Sequence, residues 1–391
     1  MNRFIGCILI ILLIVSSTAF ATVTRVTTMG NVGQIIKDRS NVGTYPQVIV
    51  EYSDMMGVEI NGAGVLTAAS AWYSGIGPGK LGLTFSTGTL ANSYAPAIDS
   101  TGRNYTVYHQ KIGLIYGLDI GEMLLGVQLN MFGNSHERDF KAVPQATPPV
   151  VKDKSVESVS GFGLRFGATL MENIEAYFNF QNVSWKHEGA DGKMLTEPNG
   201  NMVIGFGGRY WFEMRDNCTL VPYFNFTMSS EGAKDAADNE IKNFKNTINL
   251  GVGRNSFIAE NAMVVTDIGI QLQPFKTEVS VPGLPTVESR TAFTSLPYFR
   301  IGLEAELTSW MDIRLGAHKD WQKKSTENNL GDNEYWSWAN TTLFLGAGFH
   351  FKNLDIDAAI NPRFLTSGPF ILSGTSNALT FGISMIYTWG E

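Results

Sequence analysis

Arg165, Arg209, Arg300, Glu304, Glu306, Asp312, Arg314, Asp355, Asp357 and Arg363 are charged residues in stretches where every second side chain is apolar. Lys111, Glu175 and Asp267 sit in the same way. Both signs fall on successive stretches, with Arg300 and Glu304 followed by Asp312 and Arg314, so ion pairs between neighbouring strands are expected. Two chemistries fit such a set. The charges brace a polar interior, or they form a gate that selects a solute. Catalysis finds no support, since the five histidines (His109, His136, His187, His318 and His350) are dispersed and no G-x-S-x-G, H-E-x-x-H or P-loop pattern occurs. Of these, His318 and His350 fall nearest the carboxylates Asp312 and Asp355. The acidic run Glu231 to Glu240 lacks the ligand spacing of a calcium loop. No catalytic residue, metal site or cofactor is therefore assigned.

The elements that would position these charges are strands. In Asn377–Trp389, Leu379, Phe381, Ile383, Met385, Tyr387 and Trp389 fall on one face and Thr380, Gly382, Ser384 and Thr388 on the other. Leu343 to Phe351 and Leu354 to Ile360 repeat the pattern around Lys352-Asn353, as do Phe299 to Leu307 and Met311 to Ala317, and Phe162 to Leu170 and Ile174 to Phe180. Short turns near 119–122, 171–173, 214–217, 259–262, 309–311 and 351–353 alternate with long polar stretches near 91–104, 133–156, 187–200, 229–243, 277–296, 322–339 and 365–376. That asymmetry is expected of a transmembrane antiparallel β-barrel with short periplasmic turns and long external loops. The count from Tyr45 to Trp389 is about sixteen strands, with fourteen as the alternative. Trp72, Trp185, Trp211, Trp310, Trp321 and Trp389 lie near strand ends, where interfacial girdles form. The Pro144–Pro149 stretch reads as a stiff part of an external loop.

Residues 1–21 read as a signal peptide: Arg3, an apolar run from Ile8 to Val15, then Ala19-Phe20-Ala21. The chain carries 36 acidic against 29 basic side chains, a net charge of −7, which argues against a nucleic-acid partner. With Cys7 in the signal, Cys218 is left alone and no internal disulfide forms. No later stretch approaches the ~20 apolar residues of a spanning helix, so any membrane span is a strand. The expected location is the bacterial outer membrane, with its lipid and lipopolysaccharide as surroundings and the barrel-assembly machinery as a partner.

Residues 22–44 precede the expected barrel, 45–391. Met29, Gly30, Gly33 and Asp38, with Ile35-Ile36 and Gly43, give this segment an apolar, glycine-rich character that favours packing in the lumen as a plug. The run Arg25-Val26-Thr27-Thr28-Met29-Gly30-Asn31-Val32-Gly33, then Asp38, Ser40-Asn41 and Pro46, resembles the opening of long-chain fatty-acid transporter (FadL-type) barrels and the related PorV-type proteins. This sequence departs from that pattern at Asn31, where a second glycine is usual, and lacks an Asn-Pro-Ala step. The resemblance implies a barrel, usually of 14 strands, whose amino-terminal segment plugs the lumen, and which either passes hydrophobic solutes or serves as a secretion adaptor.

At the other end, Gly382, Met385, Tyr387 and Trp389 look like the carboxy-terminal signal read by the assembly machinery, although Gly390-Glu391 follow the aromatic. The function expected from these features is passage of a small solute, hydrophobic ones included. The alternative is a surface, scaffold or secretion-adaptor barrel that binds a partner through its external loops.

Overall fold

The computed structural model describes residues 23–61, 66–89, 108–140, 153–188, 194–198, 201–215, 217–235, 238–329, 333–360 and 380–389. The signal stretch 1–21, Pro144–Pro149, Arg363 and Gly390-Glu391 lie outside the described residues, as do the stretches 91–104 and 365–376. Alternation along the chain is resolved into two faces. Phe162, Ile301, Leu315 and Leu343 are exposed, while Glu175, Arg314 and Asp357, at the opposite parity, are buried.

The strands, in chain order, are β1 (Asp54–Asn61), β2 (Leu66–Ile76), β3 (Gly79–Thr89), β4 (Tyr108–Asp119), β5 (Met123–Phe140), β6 (Asp153–Leu170), β7 (Ile174–Glu188), β8 (Met194–Pro198), β9 (Met202–Tyr210), β10 (Phe212–Arg215), β11 (Cys218–Asp235), β12 (Glu240–Ala259), β13 (Ala262–Ser280), β14 (Val287–Thr308), β15 (Met311–Asn328), β16 (Asn333–Phe351), β17 (Leu354–Ile360) and β18 (Thr380–Trp389). Neighbours pair antiparallel. The sheet closes because β1 pairs with both β2 and β18, Asp54 standing opposite Trp389. β9 and β10 are two parts of one stave interrupted at Trp211, and β8 is a short extra strand, so the barrel has 16 staves, the number expected.

Closure leaves no unpaired edge, and the exposed apolar side chains form an outward belt of the kind that hydrocarbon surrounds. The chain is an outer-membrane β-barrel.

Three sequence expectations need correction. Of the expected loops, the described parts of 229–243, 277–296 and 322–339 are mostly paired arms, and so are 133–140 and 153–156, since β5, β6 and β11 to β16 run for 18 to 22 residues where a bilayer needs about 9–11. Above the bilayer both faces of a hairpin meet water, so the apolar alternation fades while the hydrogen-bond ladder continues. Trp72 and Trp211 do not join the girdles either: both are buried and point inward. Trp310 and Trp321 are exposed outward, as expected, and the side chain of Trp185 lies outside the described residues.

The inward tryptophans pack on the amino-terminal segment. It comprises a short helix α1 (Val23–Thr28), a 3-10 turn Arg39–Gly43 and a second Pro46–Glu51. Asp38 caps the first 3-10 turn by accepting from the Ser40 amide at 2.9 Å. The first strand starts at Asp54 rather than Tyr45, because Tyr45, Val48 and Ile49 bury against Met55, Trp72, Ile115 and Ile386 instead of entering the sheet. A second cluster joins Met29, Val32, Ile35 and Ile36 to Trp211, Val221, Tyr223 and Val265. These contacts, with those to β3–β6 and β15–β18, reach strands all round a closed wall. The segment therefore lies inside it.

Candidate functional site: a segment anchored in the lumen

Inside a barrel, each inward charge needs a partner or water. The wall and the segment supply partners to each other in three places. In the first, Arg25 on α1 bonds Glu304 through two nitrogens, at 2.6 and 2.8 Å, and Asp38 at 2.9 Å. Glu304 also accepts from Arg314, which reaches Asp312 at 3.2 Å and Asp357. His350 lies between Asp312 (2.8 Å) and Asp355 (2.9 Å), and Asp355 pairs with Arg39 at 3.1 Å. Arg39 follows Asp38, so the pairs form a ring that leaves the segment at Arg25, crosses β14 to β17 and returns at Arg39. Burial alone would lower the proton affinity of Arg25; its hydrogen bonds to Glu304 and the charges of Glu304 and Asp38 more than offset this and hold it above its ordinary value.

The second anchor is the wall pair Arg209 and Glu175, at 2.8 Å with side chains 0% and 1% exposed. Trp211 donates to the other Glu175 oxygen at 2.7 Å, and the guanidinium lies over the rings of Tyr45 and Trp211. The remaining nitrogen, Nη1, donates to the carbonyls of Gly33, Gln34 and Ile36 at 3.1 to 3.3 Å. One arginine thus satisfies three backbone acceptors of a segment that has no ladder of its own there.

In the third, Asp267 accepts from Tyr223 at 3.0 Å and pairs with Arg300 at 3.4 Å. The hydroxyls of Tyr223 and Tyr298 meet, and Arg300 also reaches the Asn31 carbonyl at 3.4 Å.

Room for the segment comes from glycine on the wall. A Cβ on Gly302 would lie 2.6 Å from the Met29 carbonyl oxygen, and one on Gly316 would strike the Gly30 backbone. Gly30 itself has φ +83°, a conformation that suits glycine.

Thus Met29, Gly30 and Asp38 all lie in contact with the wall or its ion pairs, and Gly33 contributes a carbonyl to Arg209. Arg209, Arg300, Glu304, Asp312, Arg314, Asp355 and Asp357 are gathered around the segment. Glu306 is not: it is exposed beside the 309–310 turn and makes no ion pair among the described residues. Glu175 was placed by alternation among the inward charges, whereas Arg25 and Arg39 were not singled out as site residues by the sequence, although charges within an otherwise apolar, glycine-rich stretch are a usable signal for both.

Arg165 stands apart from all three anchors. With Lys111 it forms a basic pair on the inner wall, and neither has a carboxylate within ion-pair distance among the described residues. Arg165 Nη2 donates to Asn179 at 3.2 Å, while its Nε is buried without a partner. Gln128 and Asn130, which bond each other at 3.1 Å, lie on the strand between them.

At the carboxy terminus, Tyr387 is exposed and stacks on Trp389 with ring centroids 6.3 Å apart, while Gly382 faces Thr24.

No family model matches the chain, and no curated protein is similar to it at a significant level. Among solved structures it is similar to the Pseudomonas putida toluene transporter TodX, at 10% identity over 95% of this chain and 97% of that one, with a TM-score of 0.36. It is also similar to CdiB from Escherichia coli (10% identity, 86% of this chain and 63% of that one, TM-score 0.43) and to the copper transporter OprC (8%, 85% and 74%, TM-score 0.38).

Proposed function

We propose that this barrel passes a small, polar, negatively charged solute across the outer membrane, with residues 23–53 as the gate. The observation that carries this reading is the pair Lys111 and Arg165, which meets no carboxylate among the described residues. A basic group kept inside without a counter-ion costs free energy that a bound anion offsets. The amides of Gln128, Asn130 and Asn179 beside it suit a polar ligand better than the hydrophobic solute that the amino-terminal resemblance implies. The ion-pair ring then acts as a latch, since each of its pairs to the segment breaks when the segment moves.

The test is uptake of a small dicarboxylate and of a neutral solute of equal size by liposomes containing the full-length protein. Arg25→Ala with Arg39→Ala is expected to raise passage of both. Lys111→Gln with Arg165→Gln is expected to remove the preference for the anion, by about tenfold for each lost charged contact. If the loosened variant passes neither solute, the channel reading fails. A second reading, a barrel that docks a partner, is favoured by the long arms of β11 to β16; it predicts that shortening the arms abolishes function while the latch variants leave it intact.

A further inference from the structure

A second set of basic residues faces the other way. Along β15 the outward side chains, from the short-turn end upward, are Leu315, Ala317, Lys319, Trp321 and Lys323, alternating with the buried or inward Arg314, Gly316, His318 and Asp320. Trp310 marks the lower girdle, and the stretch from it to Trp321 climbs roughly 28 Å at ~3.3 Å per residue and ~40° tilt, the height of the apolar band. Trp321 therefore stands at the outer headgroup level, with Lys319 just beneath it and Lys323 just above.

Lys319 lies over the Trp321 ring at 5.5 Å and donates to Thr341 at 2.8 Å. Neither lysine has a carboxylate within ion-pair distance among the described residues. Of the acidic groups on the outer arms, Glu278 and Glu288 pair with Lys276, and Glu288 also with Arg290. A lysine at this depth is expensive unless its ammonium reaches an anion at the interface.

The surface is hollowed on both sides of Trp321. Below it, a groove of about 520 Å³ is lined by Ile268, Phe299, Ile301, Ala317 and Lys319; its lower end reaches Arg254, which turns to Cys218 Sγ at 3.2 Å. Above it, a hollow of about 360 Å³ is lined by Thr294, Lys323, Ser325, Tyr335 and Ser337. The lower one is apolar and faces hydrocarbon. The upper one is rich in hydroxyls and faces headgroups.

We propose that this face holds one phosphorylated glycolipid of the outer leaflet: an acyl chain in the lower groove, phosphates at Lys319 and Lys323, and sugar hydroxyls in the upper hollow. The two lysines are about 13 Å apart along the strand. The hydroxyls of Thr294, Ser325, Tyr335 and Ser337 beside the upper lysine suit a sugar headgroup, which is why the occupant is a phosphorylated glycolipid rather than a phospholipid. This proposal is independent of what passes through the lumen.

Native mass spectrometry of the full-length protein in detergent tests it, with bisphosphorylated lipid A, dephosphorylated lipid A and phosphatidylglycerol as probes. The wild type is expected to retain one bisphosphorylated molecule, and Lys319→Gln with Lys323→Gln to weaken retention by about tenfold or more. Lys319→Arg with Lys323→Arg should restore it. Lys276→Gln with Arg290→Gln, higher on the same face, should leave it unchanged. Equal retention by the glutamine double variant, or equal competition by phosphatidylglycerol or by dephosphorylated lipid A, overturns the proposal. Heat-modifiable gel mobility of each variant shows that the barrel is folded.

Discussion

At the scale of single residues, the lumen separates charges that anchor from charges that do not. Arg209 and Glu175 are fully enclosed and share Trp211, so removing one leaves the other buried and unpaired. Arg209→Met is expected to cost about 3–5 kcal/mol in urea unfolding, and adding Glu175→Gln to recover part of it. Glu306→Gln, at an exposed position with no ion pair among the described residues, is expected to change stability by less than ~0.5 kcal/mol. Alternation alone told that Arg209 and Glu175 point inward, and it misplaced Glu306, which lies exposed beside a turn. It did not tell their partners: Arg25 and Glu304 are 279 residues apart, Arg39 and Asp355 are 316 apart, and no local pattern links such positions. Trp72 and Trp211 mislead for a related reason. Aromatics near strand ends suit a girdle only when they face out, and these two face an apolar segment that the strand pattern does not register.

At the scale of elements, the amino-terminal segment has little regular structure and is shaped by its surroundings. Its helices are of one or two turns, too short to persist alone, so wall contacts hold them. Gly316→Val puts a branched side chain where the Gly30 backbone lies. The expected result is a displaced segment, read as faster proteolysis between residues 25 and 53 and as higher conductance in planar bilayers, with heat-modifiable mobility retained. Unchanged protection would mean that the wall yields instead of the segment. The segment's apolar and glycine content was visible in the sequence, but its end was not. Tyr45, Val48 and Ile49 suit a strand as well as a core, and only the inward cluster with Met55 and Trp72 separates the two.

At the scale of the whole molecule, much of the wall is taller than a bilayer requires: β5, β6 and β11 to β16 run for 18 to 22 residues. Cleavage or shortening in the exposed turn 281–286, at the tip of the β13–β14 arm, is expected to leave the barrel folded, since the spanning part of each stave keeps both neighbours. Loss of heat-modifiable mobility after such a cut would show that the arms carry stability. Strand number and location were legible because lipid imposes alternation on every stave. Arm length was not, because water imposes none.

The seam between β1 and β18 joins the first strand of the chain to the last, and the inner segment leaves the sheet at the foot of that seam, next to Asp54. The segment is synthesised before any of the wall that encloses it, yet most of its charged partners, from Arg300 to Asp355, arrive near the end. A chain growing in this order has its contents ready and its container unfinished until β18 docks. The step that seals the wall is therefore also the step that completes the interior, and any interruption before Trp389 leaves both undone.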